Sequence, residues 1–521
     1  MIVDPKLPGL TLRGNITYSE AVDLETNVLQ SFTYWEKRDE FIGYLLQHRQ
    51  EIEATVSSYL RLQGAERCRL SSPEDWIHGS FNLCLPVYID NWRRRSGGQV
   101  IIRFPLPFKV GDSNYPGNSE EKLRCEAATY AWIRENCPDV PIPYLWGFAF
   151  AGGGECAQGC SFIALENASL VVRFFENFRR RICSLLGRAV PCQYIPLRLP
   201  YNLQVGHLVI DYIEENNGKM LSETWEEHRH DKPHRTNLFR DLSRIILSLG
   251  RIHLPRIGSF TMDNKGVLAL TNRPLTLQLH QLENEGIPTN IARDTTYVTT
   301  DAYFLDILAC HSNRLVYQPN AVNNEEDCRA QMAVLTAFRA VFPHFVRRDL
   351  RRGPFLFTLT DLHQSNIFVD DDWNIKYLID LEWACSLPME MQHPPYWLTS
   401  QSVDHLWGEG LKLFEEKYEE FLEIFADEEG QSLLRTHTMR KGWEDKNFFY
   451  FLALDSITGL YSLFLQHIQP KFADHILDDH FERILSPYWR TESEQFVASK
   501  IQEKSAYDAR LKAEFKMEAD N

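Results

Sequence analysis

Three residues of the 521-residue chain combine types and spacing that suit one kind of chemistry. Asp361 and Asn366 stand in the run L-T-D-L-H-Q-S-N-I, Leu359 to Ile367, and Asp380 follows in I-D-L-E-W, Ile379 to Trp383. A carboxylate can accept the proton of a hydroxyl. A carboxamide and a second carboxylate offer oxygen donors, which Mg²⁺, a hard cation, prefers and shares with substrate phosphates. For these groups to meet, Asp361 to Asn366 must form a short loop on one wall of a cleft. The strand-like run Ile375 to Ile379 must then bring Asp380 to the opposite wall. Taken singly, each of the three reads as a turn residue of a β-hairpin. Their joint spacing favours a site.

The elements that must hold this loop in place are spread along the chain. Upstream, His78-Gly79-Ser80-Phe81-Asn82 precedes an apolar run, Leu83 to Ile89, and a second run, Gln99 to Phe104, follows the polar turn Arg93 to Gly98. Two such runs read as a hairpin. The backbone N–H groups of Ser80, Phe81 and Asn82 would suit phosphate oxygens, although one glycine is not a glycine-rich loop. A helix is expected from Ser119 to Asn136, with Leu123, Ala127, Tyr130 and Ala131 facing inward beside Glu126; Pro138 to Pro143 ends it. Strands follow at Tyr144 to Phe150 and Gly206 to Glu214. Residues 151–200 between them read as an insertion. It opens with the loop A-G-G-G-E-C and holds an amphipathic helix, Leu170 to Leu186, expected to turn its apolar side to a core and its Arg179 to Arg181 run outward.

The pattern is helical elsewhere. Tyr18 to Leu62 reads as a helical support, and Leu238, Leu242, Ile245, Leu249 and Ile252 share one helix face. A small hairpin, Ile257 to Leu270, and helices at Thr300 to Leu315, Glu325 to Phe342, Val403 to Phe425 and Phe448 to Leu465 follow. The last residues are charged and read as a frayed helix that need not join the core. The division expected is a helical extension at 1–65, a β-rich part at 66–213 with the 151–200 insertion, a helical part at 214–490, and a charged tail at 491–521.

Bulk properties exclude several classes. A formal net charge of −16 argues against nucleic acid as the main partner. No long uncharged apolar stretch reads as a membrane span. The first residues, M-I-V-D-P-K-L-P-G-L, do not read as a signal peptide, and the eleven cysteines show no pairing rhythm, so reduced thiols in the cytoplasm are expected. Cys156 and Cys160 lie close in sequence but lack the further ligands of a zinc site.

The runs T-D-L-H-Q-S-N-I and I-D-L-E-W resemble H-G-D-L-H-x-x-N and I-D-W-E-W of the aminoglycoside phosphotransferase-like (choline kinase-like) family, within the protein-kinase-like superfamily. Leu359 stands where that family usually has His, and Thr360 where it has Gly. The resemblance covers scattered motifs from His78 to Trp397, strongest from Pro354 onward. It implies an α+β, bilobal protein-kinase-like fold with a smaller β-rich lobe and a larger helical one. It also implies ATP-dependent transfer of the γ-phosphoryl group to the hydroxyl of a small molecule. Asp361 would be catalytic, and Asn366 and Asp380 would hold Mg²⁺. Arg103, where kinases carry Lys, would hold the ATP phosphates and pair with Glu126. Main-chain groups at Asp211, Tyr212 and Ile213 would meet the adenine edge. Glu382, Glu390 and Asp404 fall in or near the region that builds the acceptor pocket in relatives. The absence of D-F-G and A-P-E runs disfavours a protein kinase. The alternative is a catalytically silent kinase-like nucleotide-binding or scaffold protein.

Overall fold

The computed structural model describes residues 7–11, 14–94, 97–151, 160–199, 201, 203–473 and 479–517. Parts of the Arg93 to Gly98 turn, including Arg95, and most of the A-G-G-G-E-C loop, including Cys156, lie outside the described residues. The chain is a mixed α+β protein whose sheets are antiparallel.

The main sheet has eight strands. Its path runs Arg67–Leu70, Asn82–Asp90, Gln99–Pro105, His207–Asp211, Leu145–Phe150, Cys160–Ala164, Tyr194–Leu197, with Ile77–His78 also pairing onto Asn82–Asp90. Strand periodicity decides what each face carries. Leu83, Leu85, Val87 and Ile89 point to one side with Val100, Ile102 and Phe104 of the neighbouring strand, in the register Leu83 to Phe104 and Leu85 to Ile102. That side is covered by two helices, Tyr34–Gln47 and Arg49–Leu60, which bury Leu45, Ile52, Val56, Tyr59 and Leu60. Since Ile102 and Phe104 point there, Arg103 must point to the other side. That side packs on the helix Asn118–Asn136, which buries Leu123, Ala127, Tyr130 and Ala131.

Beyond residue 212 the chain is mainly helical. The helices Lys232–Leu249, Thr300–Tyr317, Glu325–Val341, Gly408–Glu429 and Asn447–Asp455 enclose a large apolar core rich in aromatic rings. Two small antiparallel ladders are set into this part. Phe355–Leu359 pairs with Ala384–Pro388, and Ile367–Val369 pairs with Ile375–Leu378. A backbone bond from Leu378 to the carbonyl of Pro141 ties the second ladder to the loop that follows the helix Asn118–Asn136.

Four expectations need correction. The 151–200 segment is not simply an insertion, because its strands Cys160–Ala164 and Tyr194–Leu197 complete the sheet edge. The helix between them, Leu170–Leu185, has no buried residue, so its apolar side does not enter a core. The C-terminal segment does join the body of the protein. Its helix, Ser493–Met517, buries Tyr507, Leu511 and Phe515 against Ile16, Ala21 and Val28, and the Tyr507 hydroxyl accepts the Val28 N–H at 3.0 Å. The expected helix from Tyr18 to Leu62 is four pieces, Tyr18–Asp23, Val28–Ser31, Tyr34–Gln47 and Arg49–Leu60, with Thr17 and Asn27 capping the first two.

The seat of the covering helices is close-fitting. A Cβ added at Gly147 would stand 2.2 Å from the buried ring of Tyr59, whose hydroxyl bonds to His207 at 3.1 Å. Gly147→Ala is therefore expected to destabilise the protein by about 1–3 kcal/mol through overpacking. In chemical denaturation, part of that loss should return when Tyr59→Leu is added.

Candidate active site

The two small ladders explain how Asp361 and Asp380 come together. The loop 360–366 leaves one ladder and enters the other; the loop 379–383 makes the same crossing in reverse. Both loops are therefore pinned at both ends. They are also tied to each other. The Thr360 N–H and hydroxyl both donate to the Trp383 carbonyl, at 2.9 and 2.6 Å, and the Ile379 N–H donates to the Asn366 carbonyl at 3.0 Å. The residue that departs from the glycine of the family pattern thus supplies an extra tie through its hydroxyl.

Within this frame Asn366 is buried and turns its amide N–H₂ to Asp361, donating to the Asp361 carbonyl at 2.8 Å and to its carboxylate at 3.3 Å. Asp380 adopts φ = 58°, the left-handed region that a branched-off side chain enters only under constraint. Its side chain keeps 36% of its surface open.

A buried ion cluster lies directly behind. Arg103 bonds Glu126 at 2.6 Å, Asp380 at 2.7 Å and Glu382 at 2.8 and 3.0 Å. Lys122, one helical turn before Glu126, approaches Glu382 at 3.2 Å and donates to the Asn82 side-chain carbonyl at 2.6 Å. Asn82 in turn donates to Glu382 at 2.9 Å. The expected Arg103–Glu126 pair is present. Arg103 itself is 2% exposed and both terminal nitrogens are engaged by carboxylates, so it organises the loop rather than presenting a free fork to phosphate.

Electrostatics follow from this packing. Burial works to raise the Glu382 carboxyl, but Arg103 and Lys122 overcome it and hold the group at about 2. Burial raises Asp380, with Arg103 opposing and Glu382 adding to the rise. Asp361 is pushed up to about 7, first by burial and then by the negative charges of Glu382 and Asp380, while the Asn366 amide acts the other way. A carboxylate near 7 is tuned for proton exchange at neutral pH.

The other expected residues separate into two groups. In the turn Gly79 to Asn82, closed by the Gly79 N–H on the Asn82 carbonyl at 2.9 Å, Ser80 is exposed and Phe81 packs edge-on against Trp383 at 5.5 Å. Asn82 turns inward to the ion cluster, so its side chain is a brace and not part of a phosphate-covering surface. Asp211 ends a sheet strand. Its N–H donates to the Tyr144 carbonyl, which removes that main-chain donor from the expected adenine contacts, and its carboxylate accepts the Trp146 indole at 2.7 Å. Tyr212 and Ile213 follow, half-buried and beyond the ladder, where the chain passes from the sheet to the helical part.

Asp361 also lines a cavity of about 690 Å³, together with Phe81, Lys109, Gln278, Tyr396 and Asp455. Asp380, Asn366 and Arg103 are not among its walls. Asp455 is open to the cavity, has no hydrogen-bond partner among the described residues, and is raised to about 7 by burial. Glu390 and Asp404 do not line the cavity. Glu390 is buried and accepts the Arg347 N–H at 3.2 Å, and Asp404 accepts the Ser462 hydroxyl at 2.9 Å. Glu382 belongs to the ion cluster.

Sequence reasoning missed Lys122 and Asp455. Lys122 carried a signal, its four-residue spacing from Glu126 on one helix face; Asp455 had no local signal. Among the described residues, the group of His and carboxylate side chains close enough to share an ion is His228, Asp231 and His234, at the turn before the helix Lys232–Leu249. No protein-family model matches the chain, and no curated protein matches its sequence.

The cluster makes a direct prediction. Removing Arg103 leaves three carboxylates without their shared cation. Arg103→Ala should cost about 3–5 kcal/mol in equilibrium unfolding. Arg103→Lys, which keeps the charge but not the fork, should cost less.

Proposed function

We propose that the chain is an ATP-dependent phosphotransferase that moves the γ-phosphoryl group to a hydroxyl of a small molecule, on a bilobal kinase-like fold. One observation carries the reading: the loops holding Asp361, Asn366 and Asp380 are pinned between the same two ladders and tied to each other. The likeness of T-D-L-H-Q-S-N-I and I-D-L-E-W to the aminoglycoside phosphotransferase-like family supports the same assignment.

The residues fit a divalent cation. The amide nitrogen of Asn366 is turned to Asp361, which leaves its carbonyl oxygen without a donor among the described residues. Asp380 gives one oxygen to Arg103, and its other oxygen has no donor among them. Arg103 and Lys122 face Glu126, Asp380 and Glu382 with Asp361 nearby, and the carboxyls of Glu126, Asp361 and Asp380 are all raised, so a divalent cation would favour their ionised forms. Asn366 and Asp380 would hold Mg²⁺, which when bound neutralises phosphate charge and orients the triphosphate.

The protein's own groups have separable tasks. The acceptor enters the cavity beside Asp361 and directs its hydroxyl to that carboxylate. As the hydroxyl oxygen forms its bond to the γ-phosphorus, the bond from phosphorus to the ADP oxygen breaks and the proton passes to Asp361. Asp455 offers the acceptor a polar contact that the protein leaves unsatisfied. Arg103 is a positioning residue, acting through Asp380 and Glu382. The main chain at Tyr212 and Ile213 is where an adenine edge would dock.

A second reading, a silent kinase-like binding protein, is favoured by the engagement of Asp380 with Arg103. ATP hydrolysis and transfer to a panel of small hydroxyl compounds separate the two. Asp361→Asn and Asp380→Asn are each expected to lower turnover by about 10²–10⁴-fold. Turnover equal to wild type in either purified variant refutes the assignment. Binding of ATP with Mg²⁺ in thermal-shift titration, with no transfer to any compound, supports the silent reading.

Asp361 also sets a pH signature. It must be ionised to accept a proton, so the acid limb of kcat/KM should fall away below about pH 7. Its carboxyl is raised relative to the unfolded chain, so its ionisation lowers the stability of the ligand-free protein as pH rises through the folded value. Asp361→Asn should therefore raise the melting temperature at pH 8 while lowering turnover, and that gain should shrink as pH falls toward 5. An unchanged or lower melting temperature at pH 8 contradicts the raised carboxyl.

A further inference from the structure

The helix Leu170–Leu185 is mounted the wrong way round for a globular protein. An amphipathic surface helix normally turns its apolar stripe to the core. Here the half-buried positions are Glu176, Arg180 and Cys183, a polar stripe at spacings of four and three. That side rests on the protein, with Arg180 bonded to Glu135 at 2.8 Å. The opposite side is apolar and open to solvent. Phe174, Phe178, Ile182 and Leu185 repeat along it with Leu170, Val171 and Phe175 beside them, and exposure reaches 78% at Leu170, 69% at Phe174, 63% at Phe175 and 86% at Leu185. The helix spans about 24 Å, since each residue adds ~1.5 Å. Such a continuous apolar face on a surface marks an interaction site.

We propose that this face seats itself in the interfacial layer of a lipid bilayer carrying anionic headgroups. Charge selects the occupant. Arg173, Arg179 and Arg181 are exposed on the helix and Arg188 follows it, whereas the helix carries a single acid, Glu176, already paired to Arg179 at 3.1 Å. In helical projection Arg179 and Arg181 fall on opposite sides of Phe178, so basic groups flank the apolar face on both edges. This local positive charge is opposite in sign to the chain's net −16. An apolar face rich in phenylalanine and flanked by arginines suits a helix lying in the plane of an anionic surface, where the rings enter the acyl boundary and the guanidinium groups reach phosphate.

The mounting agrees with that geometry. In the chain the helix lies between the last two strands at one end of the sheet, Cys160–Ala164 and the edge strand Tyr194–Leu197, and Ser169 caps its start. Its outward side is a convex ridge, not a groove. A second copy of the chain would bring an identical basic rim against this one, which opposes self-pairing. Among the described residues no helix is long and apolar enough to cross a membrane, so docking would be confined to the surface.

Full-length protein should be sedimented with vesicles of phosphatidylcholine alone and with equimolar phosphatidylcholine and phosphatidylserine. Binding is expected to the phosphatidylserine vesicles and to weaken as salt is raised. The combined variant F174S/F175S/F178S should reduce that binding by about tenfold or more. Because these rings are exposed, its melting temperature should match wild type, so loss of binding is not loss of fold. Arg179→Glu with Arg181→Glu should remove the preference for phosphatidylserine. Phe174→Trp should move its emission to shorter wavelength on binding. No sedimentation with either vesicle, or wild-type binding by the triple serine variant, overturns the proposal. A wild-type dimer that the triple variant converts to monomer, with no vesicle binding, also overturns it and assigns the face to a second copy.

Discussion

The guanidinium of Arg103 is the point through which the sheet is joined to the loop 379–383, which is itself tied to the loop 360–366. It bonds the helix at Glu126 and the loop between the ladders at Asp380 and Glu382, while Lys122 and Asn82 complete the enclosure. Burying such a group is unfavourable unless its hydrogen bonds are met in fixed geometry. Glu382, held ionised by Arg103 and Lys122, then becomes a fixed negative charge within reach of Asp361. The proton affinity of Asp361 is thus raised first by its own burial, and the charges of the ion cluster behind it, which it does not touch, add to the rise. Packing and charge in this cleft are consequences of one buried cation.

Legibility in the sequence followed the range of the interactions involved. Asp361, Asn366 and Asp380 were readable because one short segment, with its two ladders, contains all of them. Arg103 and Glu126 were readable from a strand and a helix with strong periodicity. Lys122 and Asn82 were not, since a charged residue in K-L-R-C-E looks like a solvated face until the helix is docked. Asp455 was silent because only the closing of helices around the cavity makes it a wall. The C-terminal helix hid for a related reason. Tyr507, Leu511 and Phe515 recur every fourth residue, but Lys and Glu crowd between them and their partner, Val28, is near the other end of the chain.

The helix Leu170–Leu185 exposes a limit of a different kind. Periodicity tells which residues share a face but not what lies over that face. The expectation that its apolar side entered a core rested on the usual partner of such a side, water-free protein. The same pattern serves a helix whose polar side is held by Glu135 and whose rings look outward.

The cleft concentrates features that a purely structural protein has little reason to keep. Asp380 sits in a left-handed conformation, Asp361 and Asp455 are carboxyls raised toward neutrality, and carboxyls outnumber cations. The raised carboxyls lower the stability of the ligand-free fold at neutral pH, and a nearby divalent cation or a hydrogen-bond donor on a bound acceptor would offset that cost. A scaffold could replace Asp361 and Asp455 with amides and become more stable. That these features fall together, beside a cavity and the pair Asn366 and Asp380 proposed to hold a cation, is the physical reason to propose chemistry there rather than support.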